Sequence, residues 1–583
     1  MDAALLPTTR VLTHCLAHHA SCRTRARLST IWSSDNMHII RDLGVKDLMP
    51  RRLLHILPNE AGIHLIELGS QADEVPFIAL SYTWGSPTPK TLKTTKATLK
   101  SMVDNGLAMS ELPATFVDAV NVTRAFGYEH LWIDALCIVQ DDGEDWKREA
   151  PRMAVVYGNA VCTLHAVDSG SAEGGFVPGE EQTVEGVLDT RGWTTQEMAI
   201  SPRSVLFGRD GIRWECREGS VVLHSSTVEL ERSVTIRAND LKSMFVFFRD
   251  WRPPGHEQDE EPSEEGCMDL SFGGFYDDEG YLPFFRVWWD FVSCYTARNL
   301  NFESDRFLAM NGIAAVAQRW ARIRNSWGLW LDGLERELMW YVDTNPASSD
   351  DGKLHATDTR PQRTNKWLAP SWSWASVKGG AKIRNGVYDL SKEANDNLNK
   401  EDAVWPALMI KPEIGIPYGT SFDQSLPIPA WKSHESRSIQ LSGDLRSGQV
   451  TANKIIRPDG TVSIRYDMEV DPVGRWSDQE KYDFRPDAAD EFPEGQPVKV
   501  WCLLVHRLYA GSCGIPESVN LSLVLKQKGQ ETGVTTQPEY IKRSDMMAER
   551  TFTRVGYLET KYATMRDMDG VNEDFWWKVV WLL

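Results

Sequence analysis

The sequence has few cysteines and no long apolar run, and both absences limit the kinds of protein it can be. Nine cysteines stand at scattered positions among 583 residues, unlike the dense, even-numbered pattern of a disulfide framework. We therefore expect a reducing compartment and a cytoplasmic location. No apolar run reaches the about 18 residues that a membrane-spanning helix needs, so no membrane span is expected.

Basic residues are also in deficit. The chain has 63 Lys and Arg against 82 Asp and Glu, a net charge of −19. A nucleic-acid-binding protein presents a basic surface, so no nucleic-acid partner is expected. The chain also lacks a G-x-G-x-x-G motif after a strand, an ATPase loop and a repeat array. These absences argue against a dehydrogenase site and against the sensor modules of larger signalling proteins.

Cysteine and histidine do not form a recognisable catalytic or metal motif in the middle of the chain. Cys137 follows an apolar strand, with His130 and His165 near it in sequence. The local signatures of thiol hydrolases are missing, and a free cysteine is usually a small buried hydrophobe. Cys162 and His165 lack a second ligand pair at zinc spacing. No metal ligand is expected among the functional residues.

The stretch from residue 77 to residue 85 is the most informative local feature. A short apolar run, residues 77–80, changes abruptly to Ser81, Tyr82, Trp84 and Gly85. Such a run, ended by turn residues, predicts a buried strand. In an open parallel sheet the residues just past a strand's carboxyl end line the ligand crevice. The alternative is a strand that enters a tight turn, with Trp84 buried as part of the core.

Helices and strands alternate after this stretch. Helical periodicity covers residues 112–126 and about 144–159, and short apolar strands cover residues 130–134 and 160–167. This alternation predicts a parallel, doubly wound sheet. Asp134 and Asp168 then stand at the carboxyl ends of two strands, near the crevice. An Asp at a strand end is also a common cap for a turn or helix.

A carboxylate follows in an apolar context. Glu197 lies in a short predicted helix that ends at Ser201 and Pro202, four residues after Trp193. An ionised carboxylate is costly to bury without a partner. Glu197 therefore either forms an ion pair, for example with Arg191 or an arginine shortly after the helix, or takes part in chemistry.

Several blocks of this sequence resemble, in order and spacing, the fungal heterokaryon-incompatibility (HET) domain over residues 46–220. Blocks that large HET proteins carry after the domain recur at residues 305–314 and 369–376. Val139 departs from the family, which more often has Asn there, and residues 147–149 lack a common Gln. The blocks of the domain itself are residues 79–85, 131–142, 153–160 and 191–197.

The resemblance implies a protein of self/non-self recognition whose HET domain triggers programmed cell death. It also implies a distant relationship to the Toll/interleukin-1 receptor (TIR) domain, a flavodoxin-like parallel sheet. Many TIR domains cleave NAD with a glutamate in a Trp-x-x-x-Glu segment, the spacing of Trp193 and Glu197, which share one face of a helix. On this basis Glu197 is the expected catalytic residue. The expected substrate pocket consists of Ser81, Tyr82, Trp84, Gly85, Asp134, Arg191 and Trp193.

The resemblance leaves the activity open between alternatives. In the first, the domain cleaves NAD as its substrate, requires no cofactor, and acts in a self-assembled state as TIR-like enzymes often do. In the second, the sheet only docks or assembles as a signalling module. A third interpretation is a metabolic enzyme with the same fold. The sequence does not identify the incompatibility partner or the trigger.

Four ranges are expected along the chain. Residues 1–32 contain Arg and His and are nearly free of acids, which indicates a partly disordered leader over residues 1–45; a transit peptide has a similar composition. After residue 404, short alternating runs separated by Gly, Pro and Asp predict an antiparallel β sandwich or barrel. The expected ranges are the leader at 1–45, the HET domain at 46–220, a mostly helical region at 221–376 with an acidic insertion near 255–280, and a β-rich domain at 377–583.

Overall fold

The fold is described from a computed structural model. The described residues are 2–23, 30–32, 39–42, 49–58, 61–68, 75–86, 91–177, 187–209, 211–223, 241–252, 278–321, 323, 325–330, 333–343, 362–364, 368–378, 381–389, 411–412, 439–456, 462–470, 481–510, 517–527, 551–562 and 577–582. The acidic insertion expected near 255–280 lies almost wholly outside them. The chain divides into two compact units, the first formed by Met1–Phe291 with Arg298–Arg322 and the second by Val292–Ala297 with Ile323–Leu583.

The first unit combines one large sheet with helices. Its elements in chain order are α1 (Asp2–His18), α2 (Ala20–Arg23), β1 (Thr30–Trp32), β2 (Ile39–Asp42), β3 (Arg52–Ile56), β4 (Ile63–Glu67), β5 (Ile78–Ser81), α3 (Leu99–Asp104), α4 (Ala114–Ala125), β6 (His130–Trp132), α5 (Asp134–Cys137), α6 (Gly143–Glu149), α7 (Met153–Asn159), β7 (Cys162–Ala166), α8 (Gly192–Ile200), β8 (Arg203–Gly208), β9 (Gly211–Cys216), β10 (Gly219–Leu223), α9 (Leu241–Asp250), α10 (Asp278–Thr296) and α11 (Asn311–Ala321). The last five residues of α10 belong to the second unit.

The large sheet is mixed, which corrects the expectation of a parallel sheet. Its strand order is β10-β9-β8-β7-β5-β6-β3-β4. The four central strands are parallel, whereas β3 and β4 on one side and β9 and β10 on the other pair antiparallel. Short hairpins join β3 to β4, β8 to β9 and β9 to β10, and a short hairpin can only return the chain in the opposite direction. The core of the unit is therefore mixed α/β.

Two local expectations also need correction. The helix predicted over about 144–159 is broken into α6 and α7 by a 3-10 turn at Ala150–Arg152. Pro151 lies in this turn, and proline lacks the N–H group that a continuous helix requires. Apolar runs at residues 51–57 and 63–68, with turn residues between them, predict a hairpin beside the strand at residue 77, but β3 of this hairpin pairs with β6.

Part of the expected leader is folded. Residues 2–23 form α1 and α2. Leu5, Leu12 and Cys15 of α1 are nearly inaccessible to solvent and belong to the same apolar core as the large sheet. Burial of these side chains stabilises a helix that the poor apolar pattern of the sequence did not predict.

The second unit is mainly β. Its elements are β11 (Asn325–Ser326), β12 (Leu329–Trp330), α12 (Leu334–Glu337), β13 (Trp340–Val342), β14 (Ile383–Asn385), β15 (Lys411–Pro412), β16 (Ile439–Ile456), β17 (Val462–Val470), β18 (Lys481–Pro486), β19 (Pro497–Ala510), β20 (Glu517–Gln527), β21 (Thr551–Tyr562) and β22 (Trp577–Leu582). Helical spacing of the apolar residues predicts a helix over residues 327–341, but the described residues of this range include β12, the short helix α12 and part of β13. Close helical spacing of tryptophans did not distinguish a helix from short buried strands.

The carboxyl-terminal sheet confirms the expected antiparallel β structure. Its order is β15-β19-β20-β21-β22-β16-β17, with β18 paired to β21. The strands from β19 to β16 in this order are five neighbours, and β16 also pairs with β19. These five strands therefore form a closed ring, so the sheet is close to a barrel. Among the described strands of this sheet, β21 and β22 form the parallel pair. No helix among the described residues is long and apolar enough to cross a membrane.

Candidate functional site

The order of the parallel strands places a crevice at the carboxyl end of β5. The chain runs from β5 to β6 on one side of it, then crosses to β7 and β8 on the other side. The connections that leave β5 and β7 therefore diverge, and such a switch point is where open α/β sheets bind ligands. Ser81 is the last residue of β5, and the segment with Tyr82, Trp84 and Gly85 follows it.

Glu197 meets Ser81 at this edge. The Ser81 hydroxyl donates a hydrogen bond of 2.5 Å to Oε2 of Glu197. The two residues are only 1% and 5% exposed. Burial raises the pKa of Glu197 to about 7, although the Arg191 cation and the Ser81 hydroxyl act in the opposite direction. A carboxylate that titrates near neutral pH in a buried position is a common feature of functional sites.

Asp134 and Trp84 form a second pair beside the first. The indole N–H of Trp84 donates to Oδ2 of Asp134 at 2.8 Å, and the backbone N–H of Ala135 donates to Oδ1 at 2.6 Å. Burial raises the pKa of Asp134, and the proximity of Asp134 also raises the pKa of Glu197. The charge of Asp134 and the charge of Arg191 thus both act on Glu197.

Arg191 supplies the positive charge of this group. It is the residue just before α8, and its guanidinium donates a hydrogen bond to the backbone carbonyl of Tyr82. Its charge lowers the pKa values of Asp134, Glu197 and Tyr82. Burial outweighs that effect at Tyr82, whose pKa is raised well above its ordinary value. Arg191 thus ties the segment after β5 to the start of α8.

The indole N–H of Trp193 has its partner outside the group formed by Ser81, Asp134 and Glu197. Its indole N–H donates to Oδ2 of Asp305 at 3.1 Å, and its ring lies edge-to-face with that of Trp146, with 6.3 Å between the ring centroids. Trp193 and Glu197 do lie four residues apart on α8, as predicted. The hydrogen bond to Asp305 nevertheless gives the indole N–H a structural partner.

Gly85 controls the path of the segment after β5. Its φ of +80° lies in the left-handed region that favours glycine. A Cβ atom added at this position would stand 2.5 Å from Cβ of Ser171, in the loop after β7. The loops after β5 and β7 therefore come into close contact at this glycine, next to the crevice.

Residues 298–312 hold α8 in place, a role that no single motif of the sequence indicated. The Gly192 N–H donates to the Asn299 carbonyl at 2.7 Å, and the Gly312 N–H donates to Oε1 of Gln196 at 3.0 Å. A Cβ atom at Gly312 would lie 2.2 Å from that of Ala154 in α7. The family-like block at 305–314 was the available sequence signal for this contact.

Other candidate groups of the sequence have structural roles. Asp168 accepts a 2.5 Å hydrogen bond from the backbone N–H of Arg209, which is the behaviour of a turn cap. Burial raises the pKa of the Cys137 thiol to about 12, which disfavours the thiolate that a nucleophile needs. His165 is fully buried, and this burial lowers its pKa to about 3.

A comparison with protein families identifies the central part of the first unit. Residues 77–185 match the family model described as heterokaryon incompatibility protein (HET). The chain contains a HET domain. The matched segment begins at β5 and includes Ser81, Trp84 and Asp134, whereas Arg191 and Glu197 follow it in sequence. No curated protein and no solved structure matches the chain.

Proposed function

We propose that the HET domain of this protein cleaves NAD at the nicotinamide–ribose bond and that the reaction drives cell death in a fungal incompatibility response. The observation that carries the proposal is the buried carboxylate of Glu197, held by Ser81 at the carboxyl edge of the parallel strands. The strand order β6-β5-β7-β8 supports a TIR-like relationship, because it corresponds to the order 2-1-3-4 of flavodoxin-like sheets.

The proposed reaction is hydrolysis. The bond between C1′ of the ribose and the nicotinamide nitrogen breaks, and its electron pair leaves with nicotinamide. Nicotinamide departs as a neutral molecule from a cationic ring, so its departure needs no acid. The ribosyl carbon gains oxocarbenium character, which the ionised carboxylate of Glu197 stabilises. A water oxygen then bonds to C1′ and releases one proton, yielding ADP-ribose.

The neighbouring residues are assigned to substrate binding in this proposal. The hydrogen bond to Asp134 fixes the orientation of the Trp84 indole, which suits it to stack on the nicotinamide or adenine ring. The backbone N–H group of Ser86, just after Gly85, is assigned to the pyrophosphate, and Arg191 supplies positive charge. Trp193 is assigned a supporting position, since its indole binds Asp305.

The alternative is a HET domain that only assembles or docks. One observation favours it: the carboxylates of Asp134 and Glu197 already have partners in Trp84 and Ser81. Internally satisfied polar networks also occur where the role is purely structural. Catalytic turnover therefore has to be measured.

The test is nicotinamide release from NAD by the purified full chain, at several protein concentrations and with and without a crowding agent. Glu197→Gln is the test variant, and Glu149→Gln is the control because Glu149 is equally buried, also at 5% exposure, and its pKa is also raised. We expect turnover by wild type and the control, and a loss of about 100-fold or more in Glu197→Gln.

Two outcomes contradict parts of the proposal. Undiminished turnover in Glu197→Gln would show that another group acts on NAD. No turnover by wild type in any assembly state would favour the assembly module. Expression of the same three proteins in fungal cells, with cell viability and NAD content as readouts, tests the link to cell death.

A further inference from the structure

Three cysteines and a histidine from two distant parts of the chain meet in the first unit. Cys15 lies in the last turn of α1, His19 lies between the two N-terminal helices, and Cys22 lies in α2. Cys216 is the last residue of β9, about 200 residues later. Among the residues that the structure describes, one ligand atom from each of these four lies within 4.8 Å of the other three.

The spacing of these atoms fits a single tetrahedral ion. Sγ of Cys216 and Nδ1 of His19 are 3.3 Å apart. Zinc binds sulfur at about 2.3 Å and nitrogen at about 2.0 Å, so its tetrahedral ligand atoms stand about 3.5–3.8 Å apart.

The sulfur atoms of the cluster are shielded from solvent. Cys15, Cys22 and Cys216 are all buried, and His19 is partly exposed. A compact group of sulfur ligands away from solvent has the chemistry that soft metal ions select.

The guanidinium cation of Arg203 lies beside the four proposed ligands. The guanidinium of Arg203 is 4% exposed, and its Nε lies 3.3 Å from Sγ of Cys15 and donates to it. The same side chain donates to the backbone carbonyl of Cys22 at 3.0 Å. A zinc ion with three thiolates and a neutral imidazole carries a net charge of −1, and Arg203 would compensate that buried charge.

Further hydrogen bonds hold the two chain segments together around the cluster. The backbone N–H and hydroxyl of Ser21 both donate to Glu218, at 3.0 and 2.8 Å. Arg217 and Arg249 both donate to the Ser21 carbonyl. The α2 segment is thus attached to the β9–β10 turn independently of the thiols, which orients the ligands.

We propose that Cys15, His19, Cys22 and Cys216 bind one zinc ion that fastens the N-terminal helices to the edge of the HET-domain sheet. Four protein ligands leave no open coordination position, so the ion is structural and takes no part in a reaction. The sequence signal was the Cys15-x₃-His19-x₂-Cys22 spacing, which lay in the stretch expected to be a leader.

The test is the metal content of the full chain, purified without chelators and measured by plasma mass spectrometry. We expect about one zinc per chain and no disulfide. Cys216→Ser should lower the zinc content about tenfold or more. Cys162→Ala is the control, since Cys162 is a buried thiol of the same unit outside the cluster, and it should retain the zinc.

Two further measurements keep the proposal testable if Cys216→Ser does not fold. His19→Cys should keep one zinc in a four-thiolate site. Removal of zinc from wild type with a chelator should expose three additional reactive thiols and lower the melting temperature. A wild-type chain that stays metal-free with zinc added, contains iron instead, or links two of these cysteines in a disulfide would overturn the proposal.

Discussion

The hydroxyl of Ser81 donates a 2.5 Å hydrogen bond to the carboxylate of Glu197, which lies 116 residues further along the chain. Ser81 ends the first parallel strand, and Glu197 lies on the helix that precedes the last one. The contact opposes the effect of burial on the pKa of Glu197, which still rises to about 7. The site therefore changes its charge in the physiological pH range.

Glu197→Gln should make the protein more stable at alkaline pH. The folded state keeps the Glu197 proton up to about pH 7, whereas an unfolded glutamate loses it near its ordinary value of 4.5. The free energy of unfolding of wild type therefore falls as the pH rises through that window. Above pH 7 we expect the variant to gain about 3 kcal/mol in free energy of unfolding relative to wild type, measured by urea unfolding.

At pH 4 the gain from Glu197→Gln should be absent, because both states of wild type are then protonated. Glu144→Gln removes an exposed carboxylate and should leave the pH dependence unchanged. An equal effect of Glu197→Gln at pH 4 and pH 8 would show that charge burial at Glu197 is not the cause.

Ser81→Ala should shift the pH dependence of NAD cleavage to higher pH. The Ser81 hydrogen bond lowers the pKa of Glu197, so its removal makes the ionised form harder to reach. A hydrogen bond to a charged group contributes about 1.5–3 kcal/mol, and we expect a shift of about one pH unit in the midpoint.

The matched control for Ser81→Ala is Ser204→Ala. The Ser204 hydroxyl is equally buried but pairs with His165 at 3.0 Å. Removal of this hydroxyl should leave the midpoint of the pH dependence of NAD cleavage unchanged. A Ser81→Ala enzyme that keeps the wild-type midpoint would mean that the titrating group is not Glu197.

Asp145→Asn should strongly destabilise the first unit. Arg52 and Asp145 are 3% and 1% exposed, and two hydrogen bonds of 2.8 and 3.0 Å join them. The variant leaves the buried Arg52 without its main counter-charge, which costs about 3–5 kcal/mol in free energy of unfolding. The exposed pair of Lys147 and Glu144 provides a control, since Lys147→Met should cost less than about 1 kcal/mol.

The same pair makes the wild type sensitive to acid. Burial alone would raise the pKa of Asp145, but the hydrogen bonds from Arg52 and from the Val139 N–H hold it below its ordinary value of 3.8. Its contribution to stability is present above pH 3.8 and is lost as the pH falls below it. Urea unfolding of wild type and Asp145→Asn between pH 2 and pH 6 measures the difference in their free energies of unfolding. This difference should become smaller toward low pH.

Gly85→Ala should cost more stability than Gly127→Ala. Both glycines have similar φ angles, +80° and +82°. An added Cβ atom meets Ser171 at 2.5 Å at Gly85, but no atom lies within 4 Å of one at Gly127. We expect about 1 kcal/mol from backbone strain at Gly127 and an additional 1–3 kcal/mol, roughly, from the steric clash at Gly85. Equal costs in thermal unfolding would exclude the clash.

The local elements around the site followed from sequence patterns. The short helix with Glu197 was predicted to end at Ser201-Pro202, and α8 ends at Ile200. The helix at 112–126 was predicted from apolar spacing, and α4 covers Ala114–Ala125. Apolar spacing predicted one continuous helix over about 144–159, although Pro151 breaks that helix.

The sequence alone determined short-range features: the strand that starts near residue 77, the helix at 112–126, the short helix with Glu197, the HET-domain blocks, and the polar residues that follow the strand ends. These depend on side-chain periodicity and turn residues within a few positions of one another. The order of strands in the mixed sheet and the hydrogen bond from Ser81 to Glu197 came only from the tertiary structure, as did the meeting of Cys216 with α1 and α2. Contacts between residues 100 or more positions apart depend on which apolar faces are buried together, and local sequence does not encode that choice.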